Sequence, residues 1–210
     1  MINKNDYATV LRCAKQYKKE LADTKMLFVY ENRHTKEYGY FEATFLASNF
    51  KHLTGIIYPF KNEEKDTVDS TDGAVHFLNL ALRKRLDINK CKYKSDGTTQ
   101  IKLQILQMIM NIKKTARMIG DFNHSKLHIM ADKMCGSVVA TLAFTKNEIG
   151  YYCPSSALRE DIRNLVTDFH SIIAIYQKDI NNDTYTRVCY ESQKLDHTKL
   201  KEMNEEKVTI

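Results

Sequence analysis

Apolar residues recur every three or four positions in several stretches of the chain, and this spacing predicts amphipathic helices. The helices are expected at residues 7–22, 73–86, 99–119 and 156–169. The clearest is 99–119, which keeps the 3.6-residue period throughout and ends at Gly120 and Asp121. The helix at 156–169 carries Arg159 and Arg163, which are four residues apart and should project from one face.

Short apolar or alternating runs predict β-strands in two groups. They are expected at residues 26–30, 40–45, 138–144, 149–153, 172–177 and 185–190. A polar hairpin turn at 33–38 separates the first two, and polar loops are expected at 61–72 and 90–98.

The chain is therefore helix-rich over residues 1–120 and strand-rich over 121–192. This order predicts one domain over residues 1–192 that contains both helices and strands. The charged segment 193–210 is interpreted as a C-terminal tail.

The segment at 50–56 reads FKHLTGI and is predicted to be a strand. In a strand, His52 and Thr54 would share one face and Leu53 would point to the other. An imidazole beside a hydroxyl is a natural proton-transfer arrangement, because the histidine pKa lies near neutrality. The alternative is that His52 is a hydrogen-bonded structural residue in an apolar run.

The net charge of +6 is concentrated in the middle of the chain. Residues 83–117 contain ten basic side chains against Asp87 and Asp96. Such a block suits a polyanion, RNA or DNA, although it also fits the solvated faces of two helices. The start of the chain has no apolar leader and no run has the length of a membrane span, so a cytoplasmic protein with no membrane partner is expected.

Several cationic and aromatic side chains are candidates for binding phosphates. Arg159 and Arg163 can each donate two parallel hydrogen bonds to a phosphate, or can pair with nearby carboxylates within the helix. Lys178 ends the apolar strand that begins at Ser171, where it can stabilise a phosphorane or simply protect a strand end. The remaining candidates are Tyr185 and Arg187 on one face of the last strand, and Lys113 and Arg117 at the end of the long helix.

The chain offers little for a metal or a cofactor. Its five cysteines are widely spaced without a C-x-x-C pair, which is typical of free buried thiols. His124, His128 and Cys135 have a spacing that could hold zinc on a helix, but residues 121–125 read as a turn. Glycine-rich nucleotide loops, H-E-x-x-H and G-x-S-x-G are absent, so neither a metal site nor a cofactor is expected.

Four segments in order resemble a known group of nucleases. They are FKHLTGI, KTARMIGDFN, YYCPSSALREDIR and IIAIYQK, and the likeness runs over roughly residues 40–190. The chain resembles the phage and mobile-element nucleases of the barnase, EndoU, colicin and RelE-like superfamily. This resemblance implies an α+β fold, with N-terminal helices packed on a small, mainly antiparallel β-sheet. It also implies metal-independent RNA cleavage, often by a toxin or effector that an antitoxin or immunity protein restrains.

The resemblance also implies roles for individual residues. His52 and Thr54 match the family's HLTG element, Arg163 its last arginine of the EDIR phrase, and Lys178 its strand-end lysine. His52 would transfer a proton, Thr54 would position it, and the two cations would hold the scissile phosphate. Two alternatives stay open: a non-catalytic regulator that binds nucleic acid or protein, and a nucleotide-transferring enzyme.

Overall fold

The structure is a computed structural model, in which residues 1–59 and 71–203 are described. The helices of this part are α1 (Lys4–Glu20), α2 (Asn49–Thr54), α3 (Thr71–Leu82), α4 (Thr98–Met110), α5 (Ile112–Thr115) and α6 (His197–Met203). The strands are β1 (Thr24–Glu31), β2 (Tyr38–Phe45), β3 (Met118–Phe122), β4 (Lys133–Gly136), β5 (Thr141–Lys146), β6 (Tyr152–Leu158), β7 (Val166–Asp179) and β8 (Arg187–Glu191). Two 3₁₀ turns lie at Ile88–Lys90 and Ile162–Asn164.

Strand β7 closes the sheet into a barrel. One edge of β7 pairs antiparallel with β1, and its other edge pairs first with β3 and then with β8. The strands β1, β2, β6, β5, β4, β3 and β7 therefore form a closed ring, with β8 added to the outer edge of β7. The ring is mixed, because β2 and β6 run parallel where Ala43 faces Tyr152.

Aromatic side chains fill the ring. Phe144 on β5 lies 5.2 Å from Phe41 on β2 and 6.4 Å from Phe28 on β1, measured between ring centroids. Phe45 contacts the same ring edge-on at 6.2 Å. Since β1 and β5 are not neighbours in the sheet, these contacts cross its interior and join opposite walls.

The helices pack on the same core as these aromatic rings. Helix α1 begins at Asn3, whose side chain accepts the N–H of Asp6, and buries Val10, Ala14 and Tyr17. It packs chiefly on α4, while α2 packs on β6 and α3. The opposite face of β1 and β7 is covered by Tyr185 and by Leu200 of α6.

The predicted fold was wrong in the size and closure of its sheet. The expectation was a small, mainly antiparallel sheet under N-terminal helices, whereas seven of eight strands close into a mixed barrel. The physical reason is that β7 is long enough to pair along both edges, with β3 and β8 sharing one of them. Strands β3 and β4 were not predicted, and they complete the ring.

Several predicted helices and strands are confirmed, and other predicted segments lie outside the described residues. The predicted helix at 7–22 and the hairpin of strands at 26–30 and 40–45 are confirmed as α1, β1 and β2. The helix at 73–86 is confirmed as α3 over its first part, and the strand at 172–177 lies within β7. The predicted loop at 61–72 lies outside the described residues except for Thr71 and Asp72, as do the last residues of the tail, 204–210.

Three segments were assigned to the wrong element. Residues 50–56 form helix α2 and its cap rather than a strand. Residues 156–169 form the end of β6, a 3₁₀ turn and the start of β7 rather than one helix. The helix predicted at 99–119 breaks at Asn111, and its last residues become β3. Along the described ranges, no helix combines the length and apolar character needed to cross a membrane.

Candidate active site

Helix α2 is short and is fixed at both ends. At its start, the Asn49 side chain accepts the N–H of Leu46 and donates to the carbonyl of Pro154 on β6. At its end, Gly55 adopts the left-handed conformation with φ 68°, and its N–H bonds to the carbonyls of Lys51 and His52. The HLTG sequence is therefore the C-terminal cap of a helix, with the glycine that such a cap favours.

The cap of α2 holds the first turn of α4. The Thr99 hydroxyl donates to the Gly55 carbonyl at 2.8 Å and accepts the N–H of Lys94 at 2.9 Å. One turn along, the Lys102 amine donates to the main-chain oxygen of His52 at 3.1 Å. A carbonyl at a helix C-terminus carries partial negative charge, so it is a suitable partner for this amine.

Burial perturbs the Lys102 amine. It lowers the pKa of Lys102 from its ordinary 10.5 to about 8, and the nearby Lys94 charge acts in the same direction. The Asp96 carboxylate partly opposes the shift. A lysine with this pKa is neutral in part near physiological pH and can accept a proton, which an ordinary surface lysine seldom does.

Lys102 lines a cavity of about 690 Å³ between α4, the end of β6 and the loop after β3, which we call the α4–β6 cavity. Its described charged side chains are the cations Lys94, Lys102, Lys126 and Arg159 and the carboxylates Asp96 and Glu160. Its apolar wall includes Ile101, Leu127 and Leu158. Cations exceed carboxylates, so the cavity favours a bound anion.

Arg159 joins the two walls of this cavity. Its Nη1 donates to Gln104 Oε1 of α4 at 2.7 Å, and this bond ties the end of β6 to the helix that carries Lys102. The side chain is exposed and its remaining N–H groups can face a ligand. A guanidinium and an amine of lowered pKa that line one cavity can together bind a phosphate and accept a proton.

Two residues of the HLTG element, His52 and Thr54, differ in their contacts and in their burial. The main chain of His52 contacts Lys102, and its side chain is half-buried. Thr54 is fully buried, and its hydroxyl donates to the Lys51 carbonyl at 2.7 Å and accepts the N–H of Ile56 at 3.1 Å. These contacts give Thr54 a clear role in shaping the helix cap, and its predicted catalytic role stays a prediction.

Arg163 lies in the 3₁₀ turn after β6 and is paired with Asp161. The guanidinium makes a two-pronged contact with this carboxylate, with Nη2 to Oδ2 at 2.5 Å. This bond lowers the pKa of Asp161. Since residues 159–163 do not form an α-helix, Arg159 and Arg163 do not share a helix face as predicted. A phosphate bound by Arg163 would also have to compete with Asp161.

Lys178 and Tyr185 lie together at a distant part of the sheet. The Lys178 amine stands 4.6 Å from the centroid of the Tyr185 ring and donates to the Asp183 carbonyl at 2.9 Å. The Tyr185 hydroxyl donates to Glu42, while burial raises its pKa. Tyr185 belongs to the cluster on the face of β1 and β7 that α6 covers, whereas helix α2, which carries His52, packs on β6, α3 and α4.

The remaining predicted binding residues surround the end of β7. Arg187 pairs with Asp179 at 2.5 Å, and Arg117 stacks over the Tyr190 ring at 4.1 Å. Lys113 pairs with Glu20 at 2.5 Å and lowers the pKa of that carboxylate. The basic block at 83–117 is thus divided by the fold, with Lys94 and Lys102 at the cavity and Lys113 and Arg117 elsewhere.

Sequence reasoning missed Lys102, Lys126 and Ser156, which line the cavity together with the predicted Arg159. The sequence offered one signal for Lys102, which is the glycine at position 55. Glycine permits a positive φ and the close approach of a neighbouring side chain. Here that neighbour is Lys102, whose Cδ would lie 3.0 Å from a Cβ at position 55. Over residues 1–59 and 71–203, no three His, Cys, Asp or Glu side chains are grouped to hold a metal ion.

Comparison with known proteins agrees with the resemblance seen in the sequence. A family profile described as phage-Barnase-EndoU-ColicinE5/D-RelE like nuclease4 matches residues 9–194, which is most of the chain. No curated protein and no solved structure matches the chain. Because this match covers most of the chain, the protein belongs to the phage-Barnase-EndoU-ColicinE5/D-RelE like nuclease4 family.

Proposed function

We propose that this nuclease cleaves RNA in the α4–β6 cavity by a metal-independent transesterification, with Lys102 as the general base. The observation that carries the proposal is the half-buried Lys102 amine, held by the His52 carbonyl and facing a cavity that Arg159 also lines. Together these groups supply a base and a fixed positive charge, two of the requirements of phosphodiester cleavage.

The reaction follows from the placement of these groups. The neutral Lys102 amine takes the proton of a ribose 2′-hydroxyl, and the oxygen attacks the adjacent phosphorus. Arg159 stabilises the negative charge that develops on the phosphorane oxygens, since its planar fork matches two of them. The bond to the 5′-oxygen breaks and a 2′,3′-cyclic phosphate remains. We propose His52 as the group that protonates the leaving oxygen; its main chain contacts Lys102, although its side chain is not among the described residues lining the cavity.

A cleavage assay in EDTA tests this proposal. The substrate is a labelled RNA, and a matched strand with 2′-deoxyribose serves as the uncleavable control. Lys102→Met and Arg159→Ala should each lower the cleavage rate by about 100-fold or more, because they remove the base and the phosphate clamp. Lys19→Ala is the charge control, since the Lys19 side chain is 82% exposed on α1. Wild-type rates in both cavity variants would reject the assignment.

The predicted roles of Arg163 and Lys178 are tested in the same assay. Arg163→Ala and Lys178→Ala remove cations that lie outside the cavity lining, so a large loss of cleavage in a folded variant would move the reaction centre toward them. Arg117, Lys113 and Arg187 remain proposed contacts for flanking nucleotides, and the buried Tyr185 would act through Lys178, whose amine lies over its ring. Their variants should raise KM more than they lower kcat if they bind substrate.

A non-catalytic role in binding nucleic acid is the second candidate. The excess of cationic over acidic side chains in the cavity supports this role equally. RNA that is retarded in a gel but stays intact in all conditions would favour this role. Action as a cytoplasmic toxin or effector of a mobile element, restrained by an antitoxin or immunity protein, is also a proposal that rests on the family. Growth arrest on controlled bacterial expression, abolished by Lys102→Met, would support it.

A further inference from the structure

We propose a second activity for the α4–β6 cavity: Lys102 forms an imine with the aldehyde of an abasic nucleotide and cleaves the strand there by β-elimination. This activity uses the same cavity as the proposed RNA cleavage but a different bond-forming step. It needs no 2′-hydroxyl, so it extends to DNA.

The placement of Lys102 suits a nucleophilic amine. One N–H is committed to the His52 carbonyl at 3.1 Å, which fixes the nitrogen at the cavity wall and leaves its lone pair available when the amine is neutral. Burial on the first turns of α4 lowers its pKa to about 8, so a usable fraction is neutral at physiological pH. Desolvated lysines beside another cation are the ones that form Schiff bases.

The walls of the cavity suit a nucleotide that lacks its base. Lys94, Lys126 and Arg159 can hold the phosphates on either side of a sugar. Proteins that bind single strands through their bases stack them on aromatic rings, and no aromatic side chain is among the described residues lining the cavity. A base-free sugar between two phosphates needs no such platform.

A carboxylate is present for the elimination step. Glu160 lines the cavity, and its Oε1 accepts from Asn164 Nδ2 at 2.8 Å, which fixes its orientation. The bond between Arg159 and Gln104 holds this end of β6 against α4. Glu160 is thus a positioned base that can take a proton from the sugar.

The reaction balances without an oxidant or a reductant. The Lys102 nitrogen adds to the C1′ aldehyde and water leaves, which gives the imine. Glu160 takes the C2′ proton, a C2′–C3′ double bond forms, and the C3′–O bond breaks with its electron pair leaving on the phosphate. Water then hydrolyses the imine, which restores the amine and releases the unsaturated aldehyde on the upstream fragment.

A trapping experiment tests the proposal on the full-length protein. An end-labelled oligodeoxynucleotide with one abasic site is incubated with sodium cyanoborohydride, which reduces the imine to a stable amine. The expected results are a covalent protein–DNA adduct, located at Lys102 by mass spectrometry, and strand cleavage at the abasic site when the reductant is omitted. A tetrahydrofuran analogue of the site, which has no aldehyde, should give neither.

Matched variants decide the assignment. Lys102→Arg keeps the positive charge but has no free amine, so trapping should fall by about 100-fold while phosphate binding remains. Lys19→Ala should trap at the wild-type yield. No adduct from the folded wild type, or an equal adduct yield from Lys102→Arg, would overturn the proposal. RNA cleavage is measured on the same samples, so loss of one activity without the other separates the two proposals.

Discussion

Lys102 and His52 are joined by a hydrogen bond of 3.1 Å, which runs from a side-chain amine to a main-chain carbonyl. The bond therefore depends on the shape of the helix cap after His52 and not on the imidazole ring. This relationship links the HLTG element to the cavity through the backbone, and it leads to predictions that separate backbone geometry from side-chain chemistry.

The stability of the protein should depend on pH through Lys102. Its folded pKa of about 8 lies below the ordinary 10.5, so the unfolded chain binds the extra proton between these values. Stability from this group therefore rises as pH increases from about 8 toward 10.5, and the full cost of charging the buried amine is present below about 8. Urea unfolding of the wild type and Lys102→Met at pH 7 and pH 9.5 measures the difference. The free energy of unfolding of Lys102→Met relative to that of the wild type should be lower at pH 9.5 than at pH 7. The same difference at both pH values would contradict the prediction.

Gly55→Ala should disturb both stability and cleavage. The left-handed φ of 68° costs an alanine about 1–2 kcal/mol, and the added Cβ would lie 3.0 Å from Lys102 Cδ. The lysine must then move, so the cleavage rate should fall as well. Gly150→Ala is the matched control, because Gly150 also has a positive φ of 89° but nothing within 4 Å of the new Cβ. It should lose stability and keep cleavage, and equal activity in the two variants would oppose a positioning role for the cap.

Thr54→Val should destabilise the protein by about 1–3 kcal/mol, because the isosteric side chain leaves the Ile56 N–H without its acceptor in a buried place. Thr54→Ser keeps the hydroxyl and should recover most of this loss. Chemical denaturation measures the stability, and kcat is measured on the folded fraction. A large loss of kcat at unchanged stability would instead support the catalytic role predicted from the sequence.

Phe144→Ala should reveal the packed interior of the barrel. Phe144 contacts Phe28, Phe41 and Phe45 and has no exposed surface, so its removal should cost about 3–5 kcal/mol. Ile149→Ala, at a side chain that is 76% exposed, should change stability by less than about 0.5 kcal/mol. A loss below about 1 kcal/mol for Phe144→Ala would show that the ring is not closed around these side chains.

A clear sequence pattern predicted some elements correctly and others only in part. Helix α1 and the β1–β2 hairpin are confirmed, whereas the helix expected at 99–119 breaks at Asn111. Over 156–169, the spacing of Leu158, Ile162 and Val166 fits a helix, but each of these residues lies in a different element instead. The spacing of apolar residues alone does not show whether such a segment forms a helix or strands, because tertiary contacts decide between them.

The candidate site was predictable in part. The arginine at 159 and the HLTG element were singled out from the sequence. Arg159 lines the cavity, and the HLTG element contacts Lys102 through the His52 carbonyl. Lys102 was not singled out, because a lysine on the polar side of an amphipathic helix carries no mark of burial. Its environment is created when the α2 cap packs on α4, and that contact joins segments far apart in the chain.

The long strand β7 also has a consequence for the order in which the molecule can assemble. Thr24 pairs with Asp179, so the ring remains open until nearly the whole chain that forms it has been synthesised. Pairings between segments so distant in sequence are slow to form, because the intervening loop must first be closed at an entropic cost. During translation, α1 and the β1–β2 hairpin therefore have to persist without the partner that completes their sheet, and barrel closure is the late event of folding.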